Sequence, residues 1–342
     1  MGKYVLKRLG LAFITGFIIL TLVFILNKTL PVDTPVGNDT ARNSYWLTEV
    51  ARGYMEKFPK AQKGRELVDQ VTINGRVTYF YTAPIMKQYF RWIGNIITKW
   101  DWGTSQQIEL GVKATTIIKQ RLPYSIRINI ISTVIAVPLG IALGIWAALK
   151  KNKATDSIIS TAVMIFISVP SFIMVTLLMS LLCYNNRILP SQWDEGTVAK
   201  SIQSMIIPTL ALSFGSIAGY ARSTRAELCE VMSSEYLLLA RTKGLTRGQA
   251  IRRHALRNAM VPIIPGIIAQ FIADLTGGSL IVERLYGIPG IGTLYVNALN
   301  RKDWNILFVV MAFDVVIGLL SGILLDVSYG FIDPRIRMGA KK

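Results

Sequence analysis

Residues 234–262 read Ser234-Glu235-Tyr236-Leu237-Leu238-Leu239-Ala240-Arg241-Thr242-Lys243-Gly244-Leu245-Thr246-Arg247, then Gly248-Gln249-Ala250-Ile251-Arg252-Arg253-His254-Ala255-Leu256-Arg257-Asn258-Ala259-Met260-Val261-Pro262. This basic, helix-forming stretch lies between two long apolar runs. A loop dense in Arg and Lys beside apolar segments of that length reads as the cytoplasmic surface of a membrane protein, because positive residues in short loops stay inside. Ser233-Ser234 offers a helix start, Glu235 suits the positive amino end, and Gly244 can end the helix in a left-handed conformation. Arg247 to Arg257 predicts a second, strongly basic helix leading into the next apolar run. By charge alone the stretch reads as an ordinary positive-inside loop.

The rest of the chain agrees with a lipid environment. It has 342 residues, 51% of them hydrophobic, and a mean hydropathy of +0.42, high for a water-soluble domain of this length. The formal charge of +18 does not point to nucleic acid. Its Lys and Arg sit mostly between apolar runs, and no zinc-finger, RNA-binding or basic-zipper pattern accompanies them. Cys183 and Cys229 fall toward opposite membrane faces and are not expected to pair. With His254 the only histidine, the common zinc arrangements are ruled out. No GxxxxGK[ST] phosphate loop occurs, so neither a P-loop ATPase site nor a resident cofactor is expected in the chain itself.

Six apolar runs are long enough to cross a bilayer as helices: 9–27, 128–149, 157–184, 202–221, 259–282 and 304–332. The first follows Lys3, Lys7 and Arg8. It exceeds a usual signal core and lacks a small-x-small cleavage site, so it reads as a retained helix. Positive residues cluster at that end, at Lys150, Lys151 and Lys153, in the central basic loop, and at Arg335, Arg337, Lys341 and Lys342. The short loops of the other side hold fewer: Arg187, Lys200, Arg284, Arg301 and Lys302. The predicted fold is therefore an all-α integral membrane protein of six transmembrane helices with both termini cytoplasmic, in a multi-pass arrangement in the cell membrane.

Between the first two spans lies a small extracellular insertion of mixed α+β character. The expected organisation is 1–30 for the amino end and first helix, 31–121 for the insertion, and 122–342 for the remaining helices, with a cytoplasmic loop at 223–258. Val71 to Tyr79 alternates around Asn74-Gly75, a strong hairpin cue. Ile85, Tyr89, Trp92, Ile93, Ile96 and Trp100 recur at helical spacing. That face fits either the outer lipid interface or packing against the hairpin.

Inside the spans, Gly140/Gly144, Gly215/Gly219 and Gly318/Gly322 give Gly-x-x-x-Gly spacings suited to close helix approach. Pro138, Pro170 and Pro208 predict local kinks. Asp274, Asp314 and Asp326 fall in the last two runs, where a carboxylate is costly and normally faces protein or water. Asp274 and Asp314 fit a polar position on a substrate path, and equally an interhelical hydrogen bond. For Asp326, nearer the cytoplasmic end, an Arg or backbone partner is expected.

The spacing of the basic loop adds a resemblance. Tyr236, Ala240-Arg241, Lys243-Gly244-Leu245, His254-Ala255-Leu256-Arg257-Asn258 and Pro262 resemble the coupling loop of ABC-importer membrane subunits of the oligopeptide/dipeptide group. Leu238 and Leu239 replace the Glu-Ala of the broader importer pattern, and His254 and Arg257 replace its Ile and Pro. Tyr4 to Leu9, Trp102-Gly103-Thr104-Ser105, Arg121-Leu122-Pro123, Val282 to Gly292 and Phe331 to Arg337 also look like that group, so the resemblance covers most of the chain. The long segment 31–121 departs from many members.

The resemblance implies a permease subunit that performs no covalent chemistry and pairs with a homologous second permease subunit. It also implies two cytoplasmic ATPase subunits that bind ATP and Mg, an extracellular binding protein that delivers oligopeptides, and Glu235, Tyr236, Ala240, Arg241, Lys243, Gly244 and Leu245 as the contact to the ATPase. Other cargo, such as nickel or glutathione, fits the same group. Two other classes fit parts of the sequence: a proton-coupled secondary transporter using the three aspartates as a relay, and a membrane-anchored receptor whose outer segment binds a ligand.

Overall fold

The computed structural model describes residues 2–275 and 278–332. The tail motif from Asp333 to Arg337, the cations Arg335, Arg337, Lys341 and Lys342, and Thr276-Gly277 within the fifth predicted run lie outside the described residues. The chain forms two compact units, one of Met1–Ala12, Tyr124–Thr293 and Ile317–Lys342, the other of Phe13–Pro123 and Leu294–Val316.

The helices in chain order are α1 (Gly2–Lys28), α2 (Asp39–Arg52), α3 (Ile85–Lys99), α4 (Ala114–Leu149), α5 (Ala154–Ser168), α6 (Ser171–Met179) and α7 (Val198–Met232). They continue with α8 (Glu235–Thr242), α9 (Arg247–Ala250), α10 (Leu256–Met260), α11 (Ile263–Ala273), α12 (Leu280–Tyr286), α13 (Ile291–Asn300) and α14 (Trp304–Ile332). Among the described residues, four helices are long and apolar enough to span a bilayer, and two bent pairs raise the number to six if each is one span.

The third predicted run is not a continuous helix. α5 and α6 meet at 99°, with Val169 extended at φ −89°, ψ 115°. Pro170 explains this, since its ring drives the preceding residue out of the helical region and it has no N–H to donate. The fifth run is likewise bent, by 50° ahead of Ile263, where Pro262 stands. α6 runs on into a π turn, Ser180–Asn185.

In the first unit, α4 and α7 meet at small residues. A methyl group added at Gly140 would lie 2.7 Å from the Ile217 carbonyl, and one at Gly144 would lie 2.6 Å from the Ala221 carbonyl. Only glycine permits that approach. Among the described residues nothing lies within 4 Å of such a methyl at Gly215/Gly219 or Gly318/Gly322, so there the first spacing alone marks a packed contact. Ser132 and Ser213 hydroxyls share a buried hydrogen bond of 3.1 Å between the same two helices. Apolar packing around Ile128, Val175, Ile207, Val282 and Tyr286 joins α4, α6, α7 and α12.

The second unit carries a three-stranded antiparallel sheet of β1 (Met55–Phe58), β2 (Leu67–Ile73) and β3 (Arg76–Thr82), in the order β1-β3-β2. Ile73 pairs with Arg76 across Asn74 and Gly75, whose φ values of 50° and 74° are those a two-residue hairpin turn demands. Asn38 caps α2 through the Ala41 N–H, and Gly53 ends it at φ 84°. Tyr45 and Trp46 of α2 pack on Val71 and Phe80 of the sheet. The rings on the α3 face bearing Tyr89 and Trp92 meet Phe24 of α1, and Trp92 also meets Phe308 of α14.

Candidate functional site

The basic loop folds as a short helix clamped at both ends. α7 stops where the Ser233 and Ser234 hydroxyls donate to the Glu230 and Val231 carbonyls, at 2.8 and 2.6 Å. Ser234 therefore satisfies the end of α7 and makes no side-chain cap on α8. The helix leaves at Gly244, whose φ of +93° is a conformation that side-chain-bearing residues rarely adopt. Its N–H reaches the Arg241 carbonyl at 3.0 Å. Thr246 and Gln249 then form a reciprocal capping box that starts α9.

One residue of α8 is deeply anchored. Leu237 is 5% exposed and packs with Ala148, Leu228, Ala250, Ile251, Ala255 and Ala259, with Leu245 partly buried against the same cluster. Its neighbours point away: Tyr236, Leu238 and Leu239 are 43%, 62% and 56% exposed. Glu235, Arg241, Lys243 and Gly244 are exposed, and Ala240 is half-buried. Of the predicted contact residues, Glu235, Tyr236, Ala240 and Arg241 lie on α8, Lys243 and Gly244 form the turn that follows it, and Leu245 packs partly buried against the cluster that anchors Leu237.

Between α9 and α10 a π turn, Ile251–Ala255, buries Ile251 and Ala255 and leaves Arg252, Arg253 and His254 exposed. A π turn inserts one extra residue per turn, which swings the charged side chains away from the apolar seam. Arg257 and Asn258 are exposed as well. This surface combines exposed apolar side chains and positive charge with packing against α7 and α10.

Buried carboxylates brace each unit internally. Asp156 receives the Arg225 guanidinium at 2.5 and 2.8 Å and the Asn152 N–H at 2.9 Å, which ties the start of α5 to α7. Glu283, 3% exposed, accepts the Ser125 hydroxyl at 2.7 Å and the Thr293 N–H at 3.2 Å. Ser125 in turn accepts the Ile291 N–H at 2.8 Å, so the outer-loop motif Val282 to Gly292 is pinned to α4. Asp303, in the other unit, accepts the Ser105 hydroxyl at 2.6 Å and the N–H groups of Gln106, Gln107, Ile108 and Ile306.

The aspartates noted from the sequence differ in setting. Asp274 is buried and accepts the Gln270 side-chain N–H at 2.8 Å. Asp314 is exposed on α14. Asp326 pairs with Arg8 at 3.1 Å, the kind of partner expected for it. Among the described residues no three His, Cys, Asp or Glu side chains gather to hold a metal ion.

Residues 140–338 match the family described as "binding-protein-dependent transport system inner membrane component". The chain is 34% identical over 339 residues to a dipeptide transport system permease protein DppB of Lactococcus lactis subsp. cremoris (strain MG1363), with 99% of this chain and 100% of the relative covered. It is 30% identical over 341 residues to the DppB of Bacillus subtilis (strain 168), covering all of both chains. The oligopeptide transport system permease protein OppB of Escherichia coli (strain K12) is also 30% identical, with 98% of this chain and 100% of that relative covered. Among solved structures, the inward-facing MetNI methionine ABC transporter aligns with a TM-score of 0.51 at 16% identity, over 64% of this chain and 97% of that one; this likeness concerns the fold.

Proposed function

The chain belongs to the family of binding-protein-dependent transport system inner membrane components and is a membrane permease subunit of an ABC importer, and we propose that its cargo is oligopeptides. An extracellular binding protein delivers the peptide, and a homologous second permease subunit completes the pathway. Two separate cytoplasmic ATPase subunits bind ATP and Mg and supply the force. The relatives named for dipeptide and oligopeptide transport, aligned along their whole length, support the cargo class. Both termini and α8 face the cytoplasm, a reading supported by the positive charge gathered in the short loops on that side.

The observation that carries the coupling assignment is α8 itself: Leu237 buried, Tyr236, Leu238 and Leu239 exposed, and Gly244 turning the chain back. A partner that grips the exposed apolar residues moves α7 and α10 with it, because the anchor and the two closed ends transmit displacement. Asp274 and Asp314 are retained as positions along the cargo route.

Purification of the chain from membranes with its bound companions, followed by identification of each, tests the assembly. Two ATPase polypeptides, a sister permease and a peptide-binding protein are expected. Peptide uptake into vesicles should stop on ATP depletion while the proton gradient is clamped. Uptake that continued under those conditions would replace this reading with the proton-coupled one, and ligand binding without uptake would leave only a receptor.

A further inference from the structure

α3 (Ile85–Lys99) carries two apolar faces, and only one of them is covered. On the covered face the Trp92 and Tyr89 rings lie 4.9 and 5.5 Å from Phe24, and Trp92 lies 5.4 Å from Phe308. The Tyr89 and Thr21 hydroxyls share a hydrogen bond of 2.8 Å. All of these partners belong to helices apolar enough to span a bilayer, the one ending at Lys28 and the other beginning at Trp304.

The contacts fix a depth. At about 1.5 Å of rise per residue, Phe24 and Thr21 lie roughly 6 and 10 Å inside the Lys28 end of α1, and Phe308 lies roughly 6 Å inside the Trp304 end of α14. Two spans thus give the same level for α3. The apolar stretch of α1 is itself only 11% buried, with Phe13, Phe17, Ile18 and Leu22 exposed.

The other face of α3 bears Met86, Phe90, Ile97 and, at its end, Trp100, which are 63%, 65%, 77% and 70% exposed. Their spacing of four, seven and three residues puts them on one stripe. Lys87 and Arg91 are exposed on the adjoining side, Lys87 reaching Glu56 of β1 at 2.8 Å.

We propose that α3 is an interfacial lipid-binding helix: Met86, Phe90, Ile97 and Trp100 lie among the acyl chains of the leaflet that α1 enters at Lys28, with Lys87 and Arg91 at the level of the phosphates. Amphipathic helices of this kind bury their apolar face about 5 to 10 Å into the headgroup boundary, which is the depth set by Phe24, Thr21 and Phe308. Tryptophan at the end of the stripe and cations at its edge are the residues such a boundary favours. The lipid continues the surface that α1 already offers, and through Lys87 and Glu56 the sheet is tied to the membrane surface. The inference depends on the depth of α1 and α14 and not on cargo, energy source or membrane side, so it can fail while the proposed function stands.

The test uses the full-length chain with Cys183→Ser and Cys229→Ser, in nanodiscs of phosphatidylcholine and phosphatidylglycerol, carrying one nitroxide at Ile97→Cys, Thr98→Cys or Phe17→Cys. The ratio of oxygen to nickel-chelate collisions at position 97 should match that at position 17 and exceed that at position 98 several-fold. A ratio at 97 like that at 98 means water covers the stripe. Shielding from both reagents means protein covers it, and either result overturns the proposal. Quenching by brominated lipid gives a second readout without new cysteines: the fluorescence lost in Trp100→Phe should be a quenched component, and an unquenched one also overturns the proposal.

Discussion

Asp303 shows what one side chain does for one unit. Its carboxylate accepts the Ser105 hydroxyl and the N–H groups of Gln106, Gln107 and Ile108, and its other oxygen accepts Ile306 N–H at the start of α14. Removing an acceptor from buried donors costs about 1 to 3 kcal/mol per stranded group, less where water enters. Asp303→Ala should therefore lower the thermal midpoint of the detergent-purified protein by several degrees, with Asp303→Asn losing less, as read by loss of monodisperse protein on heating. A second carboxylate predicts a pH response. Hydrogen bonds from Lys87 and then Arg65 hold the Glu56 carboxyl below its ordinary value of 4.5. A carboxyl lowered in the fold contributes stability that is full above that ordinary value and is lost as pH falls toward the folded one. Amide exchange in β1 should thus accelerate on acidification below that value, and Glu56→Gln should flatten the response. Neither role was legible in the sequence. Asp303 and Ser105 are 198 residues apart, and a pairing at that distance leaves no period or motif in the chain.

Elements set by local rules were legible, and those set by distant partners were not. The Asn74-Gly75 turn, the apolar period of α3 and the stop at Gly244 each depend on residues a few positions apart, and each appears where its signal stands. Pro170 announces a kink, but the size of the bend there, 99°, is set by packing and not by the proline alone. The Gly-x-x-x-Gly spacing likewise could not say which pair meets a neighbour: Gly140/Gly144 approach the backbone of α7, while among the described residues nothing lies within 4 Å of a methyl at the other two pairs. In α8 three consecutive leucines look identical in sequence, yet Leu237 is buried and Leu238 and Leu239 are exposed. That difference is testable. Leu237→Ala should cost about 2 to 5 kcal/mol as a buried truncation, and should loosen the loop even without an ATPase. Leu239→Asp should change stability by no more than about 0.5 kcal/mol and yet abolish recovery of the ATPase with the purified permease. Equal loss of ATPase with both variants, and equal melting, would mean that α8 is an ordinary loop helix and not a docking element.

For the molecule as a whole, force made by ATP must enter on the cytoplasmic side, so the sidedness of α8 decides whether the parts can work together. The charge pattern puts Lys150, Lys151, Lys153 and the cations around α8 to α10 on one side, and an odd number of crossings separates that side from residues 31–121 when the six runs are each one span. In a background with Cys183→Ser and Cys229→Ser, two single cysteines report the two sides. Gly248→Cys lies exposed in α9, and Lys63→Cys lies exposed ahead of β2. A membrane-impermeant maleimide should label Lys63→Cys in intact cells and Gly248→Cys only in inverted membranes. The bent α5–α6 pair makes this a stringent test, because if it turned back without crossing, the number of spans between Lys63 and Gly248 would become even and the two cysteines would label from the same side. Labelling of Gly248→Cys from outside would separate the anchored apolar helix from any source of ATP, and no rearrangement of the subunit could then couple the two.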